Sequence, residues 1–556
     1  MAGNLEGFRL WDDWLDGSLA HLRNAQLLRT LRPTVWCNSS SEALVHHADL
    51  AAWVSGQEPV VRHYDHCANT VGAATAVPLR RADITDDVSS VRRYDSDRCS
   101  SCDGGRGGGG GGGGCAAVGD FNGASSPSAS APIREGGVGD VGGGRGGGYP
   151  QSREALVRVR LFSLNDYLGL ASHPEVAEAA ARAAKQVGMG PRSSALVAGY
   201  THSHRQLEEG LAELKGTQDC LLFPTGFAAN LAVMTSLSYA APPTSGTDGS
   251  SSSSSSLAIF SDELNHASII DGARLASRSA GSGGGGGGGA VQLHVYRHND
   301  LGHLEVGCLF SMDGDFADLR GLAALRRRHP FLLAVDEAHG TLVCGEGGGG
   351  AAEATGVDLH IGTLSKAFGA LGGFVACSGP MKQLLLNRGR AFVYSTSLPV
   401  PIVEAAAAAL RVSKRESWRR THVWSLVRRL GSGLGVPALS PVVPLVVGPE
   451  GPTLELSSML LQEGLMHVPA IRPPTVPPGT CRLRVSLSAA HSYEDVDELI
   501  RLVRRSGVVL ARLPHLLDPR AALPPCRTQS DGGDGPGSSA GLYGNGLERD
   551  GPYSRL

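Results

Sequence analysis

One lysine, Lys366, sits in the small-residue turn of "DLHIGTLSKAFGALGGF" (358–374). The 556-residue chain carries only five lysines, at 185, 215, 366, 382 and 414, against 45 arginines. A desolvated lysine can give up its proton and form an imine with an aldehyde, which an arginine cannot do. Other reactive types stand just after apolar runs: Thr225-Gly226-Phe227 after "LLFP", Asp262 and His266 after "AIF", and Ser311 after "CLF". Asp336 and His339 follow "LLAV", and Thr363, Ser365 and Lys366 follow "LHIG". If the runs are strands of a parallel sheet, all of these groups gather beyond its carboxyl edge, where such sheets bind ligands.

These types complement one another for pyridoxal 5′-phosphate, an aldehyde cofactor whose ring stores the electrons of a carbanion. Lys366 supplies the amine and Asp336 a carboxylate against the pyridine nitrogen. His266 supplies an aromatic face, and "PTGFAAN" (224–230) with Thr363 a helix start and a hydroxyl for the phosphate. Singly, each has an ordinary explanation: a solvated lysine, an aspartate capping a helix, a histidine satisfied in the core. Lysine, acid and histidines at the ends of successive strands do not share one. Two motifs are set aside. "DEAH" (336–339) is also a helicase signature, but no lysine here follows a glycine, so the accompanying phosphate loop is missing. "GSSAG" (537–541) matches a hydrolase elbow but has no strand before it.

The elements that must hold these residues alternate. "ALVRVRLF", "DCLLF", "LAIFSD", "VQLHVYRH", "FLLAVD", "DLHIGT" and "GFVACS" read as strands, and "HPEVAEAAARAAKQVG", "FAANLAVMTSL" and "DFADLRGLAALRRRH" as helices. This is an α/β pattern with a mostly parallel sheet covered on both faces. Beyond residue 400 the order changes to a long helix, the strands "VVPLVVG" and "CRLRVSLSA", and a helix started by Ser492, giving a smaller α+β domain. The expected organisation is a helical arm (1–34), an extension without a clear pattern (35–96), a Gly/Ser-rich disordered tract (97–150), a large domain (151–400), a small domain (401–512) and a disordered tail (513–556). Low-complexity runs at 244–256, 279–290 and 345–356 read as surface-loop insertions, because loops tolerate added length cheaply.

A formal net charge of −3 gives no reason to expect a nucleic-acid or membrane-surface partner, and no apolar stretch reaches the length of a membrane span. Eleven scattered cysteines do not form a disulfide framework, and the lone C-x-x-C at Cys99 and Cys102 lacks a second pair, so no metal is expected. The acidic N-terminus lacks transit-peptide character. Ser554-Arg555-Leu556 is a tripeptide of the kind read by the peroxisomal import receptor, so peroxisome, cytosol or both are expected.

"FSLNDYLGLASHPEV", "FPTGFAANLAV", "SDELNHASIIDG", "FSMDGDFADL", "AVDEAHGTLVCGEG", "GTLSKAFGALGG" and "YSTSLP" together resemble the α-oxoamine synthases. These are fold-type I pyridoxal-phosphate transferases that condense an amino acid with an acyl thioester and lose CO2. The resemblance runs from about 155 to 510 and implies a large domain with a mostly parallel seven-stranded sheet, a small C-terminal domain, and a homodimer sharing its active site. It implies that Lys366 carries the cofactor, Asp336 pairs with its ring nitrogen, His339 bonds its phenolic oxygen and His266 stacks on it, with His266 also polarising the new ketone. Gly226, Phe227, Ser311 and Thr363 would be further cofactor contacts. Arg29, Asn165 and Thr475 would meet substrate, and Arg472 the amino-acid carboxylate. "MHVPAIRPPTVPPGTCRLRVSLSAAH" (466–491) resembles the members that use L-alanine and a pimeloyl thioester; members using glycine or serine, or a catalytically silent partner subunit, are the alternatives.

Overall fold

The computed structural model describes residues 20, 34–36, 39–55, 156–239, 256–281, 290–299, 312–353 and 355–517. The chain divides into two units, Met1–Ala76 with Leu156–Leu556, and Val77–Ala155, and every described residue belongs to the first. The expected arm over 1–34, apart from Ala20 and Thr34, lies outside the described residues, as do the tract 97–150, Arg29, Ser311 and the tail beyond 517.

In chain order the strands are β1 (Val35–Trp36), β2 (Glu42–His46), β3 (Leu156–Leu161), β4 (Asp219–Phe223), β5 (Ser256–Asp262), β6 (Ala290–Tyr296), β7 (Ala334–Asp336), β8 (Leu359–Thr363), β9 (Gly373–Cys377), β10 (Val442–Gly448), β11 (Met466–His467), β12 (Ala470–Ile471) and β13 (Cys481–Ser486). The sheet that carries the lysine turn has the order β4-β9-β8-β7. Every residue of β8 and β9 is buried; β9 reads as an unbroken apolar run, whereas β8 carries His360, which bonds the buried Glu337 at 2.8 Å. β7 and β8 are parallel, while β9 runs antiparallel to both β8 and β4. β5 and β6 form a separate parallel pair. Among the described residues β4 to β9 thus lie in a four-stranded and a two-stranded sheet, and the run leading to Ser311 lies outside them.

The helix Gly226–Leu237 covers β8 and β9 and packs on Ala267–Gly281. It starts where Thr225 accepts a hydrogen bond from Ala228 N at 3.0 Å. Helix Val400–Arg415 packs on Pro174–Val187 and His202–Lys215. The C-terminal strands form an antiparallel sheet, β10-β13-β12. Tyr493–Arg505, which starts with a capping box between Ser492 and Asp495, packs on the helices Trp418–Leu434 and Glu450–Gly464. One hydrophobic core joins residues on both sides of position 400, among them Phe162, Leu222, Val403, Leu445 and Leu483. No described helix is long and apolar enough to cross a membrane.

Two differences from the sequence reading have physical causes. β3 does not join the lysine-bearing sheet; it lies between β2 and β11 in a sheet of order β1-β2-β3-β11. Its alternating Arg158 and Arg160 require a half-wet strand, and they pair with Glu42 and Asp495. Residues 42–46 of the unassigned extension supply the neighbouring strand. The second difference is 345–356, expected on the surface. Residues 348–352 of this run are buried. The buried Lys215 Nζ donates to Gly349 O at 2.6 Å, Thr341 Oγ1 at 3.0 Å and Glu337 Oε2 at 2.7 Å, while Glu337 Oε1 accepts from Ala352 N at 2.9 Å. Glycine is required at 350, where φ is +107° and a Cβ would stand 2.1 Å from Glu337 Oε1.

Candidate active site

β8 ends at Thr363, and the chain then turns through Lys366 before β9. The turn is tied by Leu364 N to Gly372 O at 2.9 Å and Gly369 N to Lys366 O at 2.8 Å. Gly369 has φ +64°, and a Cβ there would lie 2.2 Å from Ala171 N, so the turn presses on the backbone after β3. This packing leaves Lys366 half-buried. Desolvation lowers its ammonium pKa to about 8, Arg484 acting with it and Asp336 against it.

Lys366 Nζ lies 2.9 Å from His339 Nε2, and His339 Nδ1 lies 2.6 Å from Tyr167 Oη. Tyr167 Oη reaches Asn165 Oδ1 at 3.2 Å, and both terminal nitrogens of Arg484 reach that same oxygen at 3.4 Å. Burial, then the cations at Lys366 and Arg484, and His266, hold the His339 pKa well below its ordinary value, so the ring is neutral. Burial also pushes the Tyr167 hydroxyl up to about 12, keeping it protonated.

Asp336 closes β7. Its Oδ1 accepts from Ala338 N at 2.9 Å and its Oδ2 from Asn230 Nδ2 at 2.8 Å. Asn230 Nδ2 also bonds Ser268 Oγ at 2.9 Å, and Ser268 Oγ bonds His266 Nδ1 at 2.7 Å. His266 is exposed and meets Phe227 edge-on at 6.3 Å between ring centres. Gly226 opens its helix against β8: a Cβ there would lie 3.2 Å from Thr363 Cβ. The first N–H groups of that helix, at Gly226 and Phe227, have no acceptor within it and are available to an anion. Thr363 Oγ1 donates to Gly372 O at 3.0 Å and lies 2.8 Å from Ser365 Oγ.

The structure therefore brings Lys366, His339 and Asn165 into one hydrogen-bonded chain, and links Asp336 to His266 through Asn230 and Ser268. It places Gly226 against Thr363. Arg472 lies after β12, where it donates to Glu450 Oε1 at 2.5 Å; Thr475 is exposed in the turn that follows. Sequence reasoning missed Tyr167, Asn230 and Arg484. The signal for Arg484 was a charged residue inside "CRLRVSLS", a strand buried at every position of β13. A buried arginine is kept only where it has something to bind.

A small aldehyde-bearing phosphate ester fits these groups. An amine, a carboxylate fixed by two donors and a bare helix start around a glycine are the donor set it needs, and Gly226 lets that helix start close beside the Thr363 hydroxyl.

The family described as aminotransferase class I and II matches residues 158–281 and 296–503, and the chain belongs to that family. Its relatives narrow the class. An 8-amino-7-oxononanoate synthase of Arabidopsis thaliana is 51% identical over 361 residues, covering 62% of this chain and 74% of that protein. One from Saccharophagus degradans is 38% identical, covering 61% and 84%. Among solved structures, a serine palmitoyltransferase of S. paucimobilis with bound PLP–myriocin aldimine is 26% identical and superposes with a TM-score of 0.54, covering 63% of this chain and 87% of that one.

Proposed function

We propose that this chain carries out the 8-amino-7-oxononanoate synthase reaction, a step of biotin formation. In it L-alanine condenses with a pimeloyl thioester, of CoA or of a carrier protein, releasing the thiol and CO2. The observation that carries the reading is a half-buried lysine, half-neutral near pH 8, bonded to a neutral histidine beside a fixed carboxylate, in a chain 51% identical to a plant enzyme of that name.

Lys366 would hold pyridoxal phosphate, with Asp336 at the ring nitrogen, His339 at the phenolic oxygen, His266 over the ring face, and Gly226, Phe227 and Thr363 around the phosphate. The cofactor supplies the electron sink that makes the Cα proton of alanine removable. Lys366 Nζ, with its pKa held near 8, is suited to take that proton at neutral pH and return it later. Arg484, buried in the same cluster, is suited to bind the alanine carboxylate through its planar fork, with Asn165 beside it.

The test is thiol release from pimeloyl-CoA with L-alanine, glycine and L-serine compared. L-Alanine should dominate. Preference for glycine or serine would move the chain to another α-oxoamine synthase activity, the second reading, which the serine palmitoyltransferase neighbour favours. The proposal includes a homodimer, supported by apolar side chains exposed at Leu196, Val197 and Tyr394 on segments joined by the Ser194–Thr396 bridge. It also includes entry into peroxisomes through Ser554-Arg555-Leu556. A fluorescent fusion ending in that tripeptide should be peroxisomal and its truncated counterpart cytosolic; identical distributions would remove this part.

A further inference from the structure

We infer that the hydroxyl of Tyr167 sets which nitrogen of His339 carries the proton, and so whether His339 meets Lys366 as an acceptor or as a donor. Tyr167 is thus a positioning residue acting through His339. The inference rests on the proposed cofactor role of Lys366 and extends it to a residue that the role itself does not name.

Hydrogen counting fixes the arrangement. Arg484 can only donate, so the Asn165 atom facing both of its terminal nitrogens at 3.4 Å is the carbonyl oxygen, a pure acceptor. Tyr167 Oη also bonds Arg484, which can only donate to it, so its one hydrogen goes either to Asn165 Oδ1 at 3.2 Å or to His339 Nδ1 at 2.6 Å. Both contacts are hydrogen bonds only if that hydrogen goes to Asn165, and Oη then accepts from Nδ1–H. The neutral ring is left with a bare Nε2, 2.9 Å from Lys366 Nζ, as acceptor. If the hydroxyl turns its hydrogen to Nδ1 instead, the tautomer reverses and Nε2–H becomes a donor, the form that suits an anionic phenolic oxygen. A rotating hydroxyl thus lets one histidine face an amine or an oxyanion without ever becoming charged. The charged and titratable groups around Lys366 and His339 are Asp336, Arg484 and His266. Tyr167 Oη meets Nδ1 at 2.6 Å, and Arg484, a pure donor, cannot accept from Nδ1–H in its place.

The test uses cofactor-free protein and reads the pH dependence of amine modification at Lys366 by competitive labelling and peptide mapping. An acceptor at Nε2 favours the ammonium form of Lys366. Tyr167→Phe removes the hydroxyl that holds the acceptor tautomer, so the Lys366 midpoint should fall by about 0.5–1 unit. Asn165→Leu leaves the hydroxyl but frees its hydrogen for Nδ1, and should lower the midpoint in the same direction; it serves if the tyrosine variant does not fold. A folded Tyr167→Phe or Asn165→Leu protein with an unmoved midpoint overturns the inference. The cofactor role of Lys366 is read separately, by borohydride trapping of pyridoxal phosphate on the wild-type protein. Trapping at Lys366 with unmoved midpoints sinks only the hydroxyl relay; absence of trapping sinks the functional reading beneath it.

Discussion

At the scale of single residues, the choice of lysine over arginine at 366 follows from what the turn does to an amine. Burial disfavours the charged form, and Asp336 restores part of it, so the group ends near pH 8, where both protonation states are accessible in a cell. Arginine would stay charged at any such pH. The same cluster makes a prediction about substrate. If Arg484 receives the alanine carboxylate, Arg484→Ala should raise the KM for L-alanine by roughly 10–100-fold, the loss of a charge-assisted pair. Arg472→Ala, whose guanidinium already bonds Glu450, should raise it much less. Steady-state kinetics of the two variants decide between them; the reverse order would return the carboxylate to Arg472. Lys366, His339 and Asp336 were legible because a reactive type directly after an apolar run is a local feature. Tyr167 and Arg484 were not, because they reach the site from the segment after β3 and from β13, and nothing in either stretch announces the other.

At the scale of elements, a buried ion pair fixes the turn that follows β7. Burial raises the pKa of Glu337, but the Lys215 ammonium and the His360 hydrogen bond outweigh it and hold the carboxyl at about 2. A depressed acid contributes stability that is full above its ordinary value of 4.5 and is lost as pH falls toward 2. Glu337→Gln should therefore lower Tm at pH 7, with the gap to wild type closing as pH falls from 4.5 to 2; a constant gap would contradict this. Lys215→Met, which strands the carboxylate, should cost about 3–5 kcal/mol in urea unfolding at pH 7. His298 works in the opposite direction. Burial lowers its pKa, but Asp262 and Asp315, at 3.2 and 2.8 Å, raise it to about 9. A raised histidine contributes stability that is full below 6.5 and disappears as pH rises through 9. The Tm difference between wild type and His298→Asn should be largest below pH 6.5 and vanish above 9; a difference that persists at higher pH would mean that packing alone explains the site. The glycines of 345–356 show why this part of the fold was not readable. Low complexity usually marks a loop, but here the glycines leave room for Glu337, and the ammonium that organises them comes from Lys215, more than a hundred residues upstream.

At the scale of the whole molecule, the alternation of strand and helix from 156 onward was legible because central strands are largely apolar on both faces, as β9 is throughout. The direction of β9 was not, since a buried antiparallel strand and a buried parallel one share the same composition. Nor was the partner of β3, which depends on residues 42–46 reaching across the long tract that separates them in sequence. The proposed dimer is tested at this scale. Leu196→Asp with Val197→Asp places charge on an exposed apolar segment and should convert a sedimenting dimer to monomer while leaving the far-ultraviolet circular dichroism unchanged. A monomeric wild type, or a variant dimer that sediments unchanged, would remove that face from the account.

The claim beneath all of these is that Lys366, alone among five lysines, holds pyridoxal phosphate. The purified protein is incubated with the cofactor, reduced with borohydride and mapped by peptide mass. The account predicts one phosphopyridoxyl group per chain, on Lys366, with Lys185, Lys215, Lys382 and Lys414 unmodified. Label spread over the other lysines, or none on Lys366, would contradict it.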